Sequence, residues 1–115
     1  MRVKSELWVK AYLRSCEVQG ASAVVARRGD EHAGAIYICV NRLDGTLMLY
    51  GPAPAGLEGT ATERRWVRCL AANVITEGEA ATYLARQVNF DADIWIVEVE
   101  DKAGRHFLGD VVAEA

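Results

Sequence analysis

Apolar positions recur along this chain first at helical and then at strand spacing, and the changes of period predict its elements. Over residues 5–19, Leu7, Trp8, Ala11, Tyr12 and Cys16 recur at intervals of three to five and predict a helix with one apolar stripe. Ser5 is placed to cap it, Glu6 suits its positive first turn, and Gly20 stops it. Residues 22–28 (SAVVARR) read as a strand, followed by turn residues Gly29, Asp30 and Glu31. Residues 34–41 (GAIYICVN) carry the clearest alternation: Ile36, Ile38 and Val40 on one face, Tyr37 and Cys39 on the other. Both faces are apolar, so this strand should lie centrally with a cover on each side. Asp44-Gly45 then signals a hairpin, and 46–50 (TLMLY) is the returning strand.

Both prolines of the chain fall at Gly51-Pro52-Ala53-Pro54, which predicts a stiff surface loop through residue 63. Residues 64–71 (RRWVRCLA) resume as a strand. Thr76 and Glu79 have capping-box spacing and open a second helix to about Val88, with Ala80, Ala81, Leu84, Ala85 and Val88 as its buried stripe. The last main strand is 93–100 (DIWIVEVE), whose second face turns from apolar at Ile94 and Ile96 to acidic at Glu98 and Glu100. A turn at Lys102-Ala103-Gly104 lets Arg105 to Leu108 pair back briefly, and the last seven residues should fray.

The predicted order is α-β-β-β-β-α-β in one domain spanning residues 1–115. Strands joined by short turns pair antiparallel, so the fold class is α+β: a single antiparallel β-sheet with two helices packed on one face. The apolar second face then needs a cover, which a partner subunit would supply, making a homo-oligomer, most simply a dimer.

Composition narrows the function classes. The 115 residues carry 13 basic and 16 acidic side chains for a net charge of −3, with 51% apolar and 25% charged residues. That is the balance of an ordinary globular domain, and it excludes collagen, low-complexity disorder and a disulfide scaffold. Cys16, Cys39 and Cys69 are widely spaced with no C-x-x-C, and each sits among apolar residues as a small hydrophobe. No signal-peptide core is visible, and the longest near-apolar run, Ala33 to Val40, is eight residues. About 20 are needed to cross a bilayer, so the expected setting is the cytoplasm, without membrane association.

Three groups of residues could carry chemistry. The first is the end of the last strand: Glu98, Glu100, Asp101 and Lys102, with His106 returning after the turn. Oxygen ligands at this density suit a divalent cation such as magnesium or manganese. Glu100-Asp101-Lys102 has an E-x-K shape that resembles the catalytic strand of restriction-type nucleases, a resemblance that implies a carboxylate holding the metal and a lysine aiding the attacking water. Such a metal-dependent hydrolase needs a further acid, for which Asp91, Asp93 and Asp44 are the candidates. The alternative is a solvated strand edge that acids keep soluble. The second group is Arg64, Trp66 and Arg68 on one strand face, with Arg65, and Arg27 and Arg28 from an expected nearby strand, adding charge. A cationic strip around an aromatic can grip single-stranded nucleic acid. The negative net charge opposes it, and the alternative is a buried Trp66 with the arginines laid over it. The third is Tyr50 in Tyr-Gly-Pro, displayed at a pocket mouth or simply ending a strand.

Other chemistries lack their residues. His32 and His106 are the only histidines, and there is no Gly-x-Ser-x-Gly elbow, no Gly-x-Gly-x-x-Gly and no Walker loop. The N-terminal helix could lie on a membrane through Trp8 and Tyr12, but a small domain can hardly spare its best apolar helix. No complete catalytic set is present and apolar surface is in excess. The sequence therefore favours a non-enzymatic module that associates with itself or an unidentified protein, through a sheet face or the 51–63 loop, and calls for no cofactor.

Four stretches, RVKSELW at 2–8, RRGDEHAGAIYI at 27–38, DGTLMLYGPAP at 44–54 and DADIWIVEVED at 91–101, resemble a family of small bacterial proteins of unknown function. The resemblance spans nearly the whole chain. It implies a compact single domain in a bacterial cytoplasm and transfers no catalytic residue.

Overall fold

A computed structural model describes residues 3–54, 64–70, 74–109 and 111–114, with residues 112–114 described by their backbone alone. Helix α1 (Ser5–Val18) leads into strands β1 (Ser22–Arg27), β2 (Ile36–Asn41), β3 (Thr46–Pro52) and β4 (Trp66–Cys69). The two-residue β5 (Ile75–Thr76), helix α2 (Glu77–Phe90), β6 (Trp95–Glu100) and β7 (Val111–Glu114) follow. The expected α+β class and element order hold, with the short β5 and β7 added.

The strands form one sheet in the order β1-β6-β2-β3-β4-β7, and β5 pairs with β3 off that path. The sheet is mixed rather than antiparallel: β2 runs parallel to β6 and β4 parallel to β7. The expected pairing of β1 with β2 does not occur, because β6 lies between them. The segment 28–35 crosses the entry to β6 instead of making a hairpin. It is tied there by Asp30 N–H to the Asp93 carbonyl at 2.9 Å and by the Trp95 indole N–H to the Asp30 carbonyl at 2.8 Å. The hairpin at Asp44-Gly45 is present: β2 and β3 pair antiparallel, Asn41↔Leu47 being the last register pair. The Asp44 carboxylate accepts the Thr46 N–H, and Gly45 takes the φ of +89° that the turn requires.

The two helices cover opposite faces, not one. Helix α1 brings Val9, Tyr12 and Cys16 onto the face made by Ile36, Ile38, Val40, Tyr50, Trp66, Trp95, Val97 and Val99. Helix α2 brings Ala80, with Tyr83 and Leu84, onto the face made by Cys39, Leu49, Cys69 and Ile75. So β2 is covered on both sides, as its two apolar faces demand, but the second cover is the chain's own helix. The ground for a partner subunit over Tyr37 and Cys39 is thereby removed: Cys39 is buried, and Tyr37 packs edge-on against Tyr83.

Local details correct the sequence reading in physical terms. Ser5 is not a cap but the first helical residue. It is buried and donates its hydroxyl to the Gly34 carbonyl at 2.6 Å, while the first helical N–H groups are met by the carbonyls of His32 and Glu31. The buried stripe of α1 is Ser5, Val9, Tyr12 and Cys16, leaving Leu7 60% exposed and Ala11 exposed. Only Ala80 of the stripe expected in α2 is fully buried, but its capping box is formed, with Thr76 and Glu79 bonding each other's backbone N–H. Gly51 and Pro52 continue β3 beside Val67 and Trp66 rather than opening a loop. A Cβ on Gly51 would stand 2.7 Å from the Tyr37 ring, so any larger residue there has to push that ring aside. The rest of the expected loop, 55–63, lies outside the described residues. The C-terminal residues expected to fray include β7, which pairs with β4.

Candidate functional site

The carboxylates proposed for metal chemistry do not meet. Glu98 and Glu100 lie exposed on the second face of β6, opposite Val24 and Ser22 of β1. Asp101, one residue on, is buried and committed to Arg105. It accepts that residue's backbone N–H at 2.8 Å, its Nε at 3.1 Å and its Nη2 at 2.8 Å. The Arg105 guanidinium holds the Asp101 carboxyl below the usual carboxylate range. Lys102 is exposed in the following turn. His106 belongs to the other side of the sheet. Its ring meets Tyr50 at 4.9 Å, its carbonyl accepts the Tyr12 hydroxyl at 2.6 Å, and its Nδ1 accepts the Leu108 N–H at 3.0 Å. Burial pushes its pKa down, consistent with a neutral ring whose Nδ1 is an acceptor. The three candidate further acids serve turns or crossovers: Asp44 binds Thr46, Asp91 the Asp93 N–H, and the Asp93 carbonyl the 28–35 segment. Among the described residues, no three His, Cys, Asp or Glu side chains stand close enough to hold a metal ion.

The Asp101–Arg105 clasp is structural, and its loss has a defined signature. Asp101→Ala removes three hydrogen bonds from Arg105, whose guanidinium is half exposed and keeps the Gln19 carbonyl, and should cost about 1 kcal/mol by urea unfolding at neutral pH. Since the folded-state pKa is depressed, the stabilisation is present above the ordinary aspartate value of 3.8 and is lost as pH falls through the lower folded value. The gap between wild type and variant should therefore close in acid. A gap that stays constant from neutral pH to pH ~2 would show that the ionised clasp is not its source.

The basic strip is likewise not an open platform. Trp66 is 4% exposed and lies beneath α1, 5.1 Å from the Trp8 ring, which in turn stacks on Tyr12 at 4.9 Å. Arg64 donates to the Val3 carbonyl at 2.9 Å and to the Ser5 hydroxyl at 3.1 Å, tying β4 to the start of α1. Arg68 is half-buried beside Tyr50 across the β3–β4 pair. Arg27 and Arg28 are at the far side of the sheet, with β6, β2 and β3 between β1 and β4. Arg28 instead pairs with Glu6 at 2.8 Å and lies over the Trp95 ring. Tyr50 is buried, not displayed at a pocket mouth. The three cysteines are free and buried, and burial pushes the Cys39 thiol up to about 12, far from a reactive thiolate.

What sequence reading missed is the outer edge of β1. Among the described residues nothing pairs with it. Its Val24 is 57% and its Val25 38% exposed, although the adjoining β6 residues Val97 and Val99 are fully buried. A bulge between Val25 and Arg27 turns Arg27 onto the same face as Ile96, and so onto the face of Glu98 and Glu100. The signal was the run SAVVAR itself, but a run alone does not tell an edge strand from a central one.

Fold and surface together define a small α+β protein: a mixed sheet between two helices, with one bare strand edge and no assembled catalytic set among its described residues. The sequence profile of DUF1491, described as a protein of unknown function, matches residues 3–109, and the chain belongs to that family. A crystal structure of a DUF1491 family protein from Caulobacter crescentus CB15 is similar at 36% identity and a TM-score of 0.79, covering 100% of both chains. An NMR structure of a DUF1491 family protein from the same organism is 39% identical with a TM-score of 0.78, over 100% of this chain and 99% of that one. The solution structure of protein Atu0922 from A. tumefaciens is 38% identical with a TM-score of 0.75, over 87% of this chain and 86% of that one. No curated protein matches the chain. No helix among the described residues is long and apolar enough to cross a membrane.

Proposed function

We propose that this chain is a single-domain, cytoplasmic, non-enzymatic interaction module that associates with a second copy of itself along the outer edge of β1. The observation that carries the reading is the pair of exposed valines, Val24 and Val25, on a strand whose outer edge has no partner among the described residues. Such an edge presents a row of backbone donors and acceptors that template another strand, and proteins usually blunt it with charge, proline or cover. Here the bulge and Arg27 interrupt the edge only at its far end, and the stretch Ser22–Val25 carries neither charge nor proline. Its first-face side chains, Ala23 and Val25, continue the apolar layer of Val97 and Val99, so an added strand extends the core rather than starting a new one.

The test is solution mass by sedimentation from micromolar to millimolar protein. The expected result is a monomer–dimer equilibrium that Val24→Lys shifts toward monomer by about tenfold in Kd. The thermal midpoint of the monomer should be unchanged, since position 24 is on the surface and its β6 neighbour is Glu98. A wild-type protein that stays monomeric at millimolar concentration would overturn the reading.

A further inference from the structure

We infer that Arg27 and Glu100 form a reciprocal charge lock between the two copies, which fixes their β1 strands antiparallel about Val24. This inference rests on the self-association reading above and adds its geometry and specificity. Glu100 is exposed and faces Ser22 at one end of β1, while Arg27 closes the other end. Without the bulge, Arg27 would fall on the α1 face by strict alternation from Val25. With it, Arg27 aligns with Ile96 and shares the second face with Glu98 and Glu100. Within one copy the two residues lie at opposite ends of the strand pair and cannot meet.

A twofold axis perpendicular to the sheet at Val24 changes that. It sets Val24 against Val24 of the second copy, Ala23 against Val25, and the Ser22 end against the Arg27 end. Residues facing each other across an antiparallel pair lie on the same side of the sheet, and this register satisfies that for each valine. The arginine of one copy then stands two strand spacings, about 10 Å between backbones, from the Glu100 of the other. The combined reach of an arginine and a glutamate spans that distance. The twofold axis makes the contact twice, so the interface is isologous and closes as a dimer. Arg27 spends one N–H on the Ala92 carbonyl of its own chain at 3.0 Å, on the β6 side away from the open edge, so the lock has to use the remaining guanidinium N–H groups or displace that bond. A parallel arrangement of the two β1 strands would leave each Arg27 at the end away from the other copy's Glu100, so it forms no such contact.

Charge exchange tests the lock. Arg27→Glu alone and Glu100→Arg alone each place like charges at both contacts, and each should weaken the homodimer by about tenfold or more. Mixed in equal amounts, the two variants should form a heterodimer, because both contacts become Glu–Arg again. The double variant R27E/E100R should recover the wild-type dimer and so controls for damage from losing the Ala92 contact. Raising salt from about 50 mM to about 500 mM should loosen the wild-type dimer. A dimer that is sensitive to Val24→Lys but shows neither heterodimer formation nor rescue overturns the lock and leaves the self-association reading standing. A wild-type chain that never dimerises overturns both.

Discussion

Gly34→Ala and Gly29→Ala should each destabilise the protein by about 3 kcal/mol or more, enough to unfold much of a marginal domain at physiological temperature. Both glycines sit in the 28–35 segment where it crosses the entry to β6. A Cβ on Gly34 would stand 2.3 Å from the Asp93 carbonyl oxygen, and one on Gly29 2.2 Å from the same atom. These are backbone atoms, so no rotamer change relieves the clash. The segment would have to lift, breaking the 2.9 Å bond from Asp30 N–H to Asp93 and the Asp30–Trp95 bond behind it. Neither residue has a positive φ, so the cost is one of close approach and not of backbone strain. Gly78 gives the internal control. It lies in α2 with nothing within 4 Å of its would-be Cβ, and Gly78→Ala should stabilise by about 0.5 kcal/mol through the unfolded state. Urea unfolding of the three variants checks the ranking. If Gly34→Ala and Gly78→Ala fall within 0.5 kcal/mol of each other, roughly the spread of neutral surface substitutions, the crossover is not as tight as described.

Those glycines also mark where sequence reading stopped. They look like ordinary turn residues, and a turn between two strands reads as a hairpin. What they do is let one strand connection pass over the start of another strand sixty-odd residues later, about half the chain away. Sheet order is not a local property, so β6 between β1 and β2 left no trace in any window of residues. The local signals did carry through. The Asp44-Gly45 turn, the capping box at Thr76, the two apolar faces of β2 and the change from Ile96 to Glu98 and Glu100 all appear where their patterns placed them. The facing of α1 was misread for a different reason. Leu7, Trp8, Val9, Ala11, Tyr12 and Leu13 surround most of the helix, so several stripes fit, and the sheet chose the one through Val9. The candidate site failed in both directions from the same cause. Glu98, Asp101 and His106 are near in sequence but divided between the two faces of the sheet and a buried ion pair. Val24 and Val25 became conspicuous only once β1 proved to be an edge.

Trp95→Ala should be the most damaging single truncation, at about 4 kcal/mol, and Trp95→Phe should cost distinctly less, about 1.5 kcal/mol. Three roles meet in this residue. Its side chain is 1% exposed and belongs to the core under α1. Its backbone N–H opens the parallel β2–β6 pairing through the Ala35 carbonyl at 2.8 Å. Its indole N–H holds the Asp30 carbonyl, and the Arg28 guanidinium lies 5.2 Å over its ring, so both flanks of the crossover rest on it. Phenylalanine keeps most of the buried ring and loses the N–H, leaving the Asp30 carbonyl without its donor. Alanine loses the ring as well and leaves a cavity at the start of the central parallel pair. The two variants therefore separate packing from the tie. Hydrogen exchange should separate them further: Trp95→Phe should raise exchange at 30–34 selectively, whereas Trp95→Ala should raise it through β6 and β2 together. Equal destabilisation by the two substitutions would mean that the indole bond to Asp30, and not the filled core, is what Trp95 contributes to the fold.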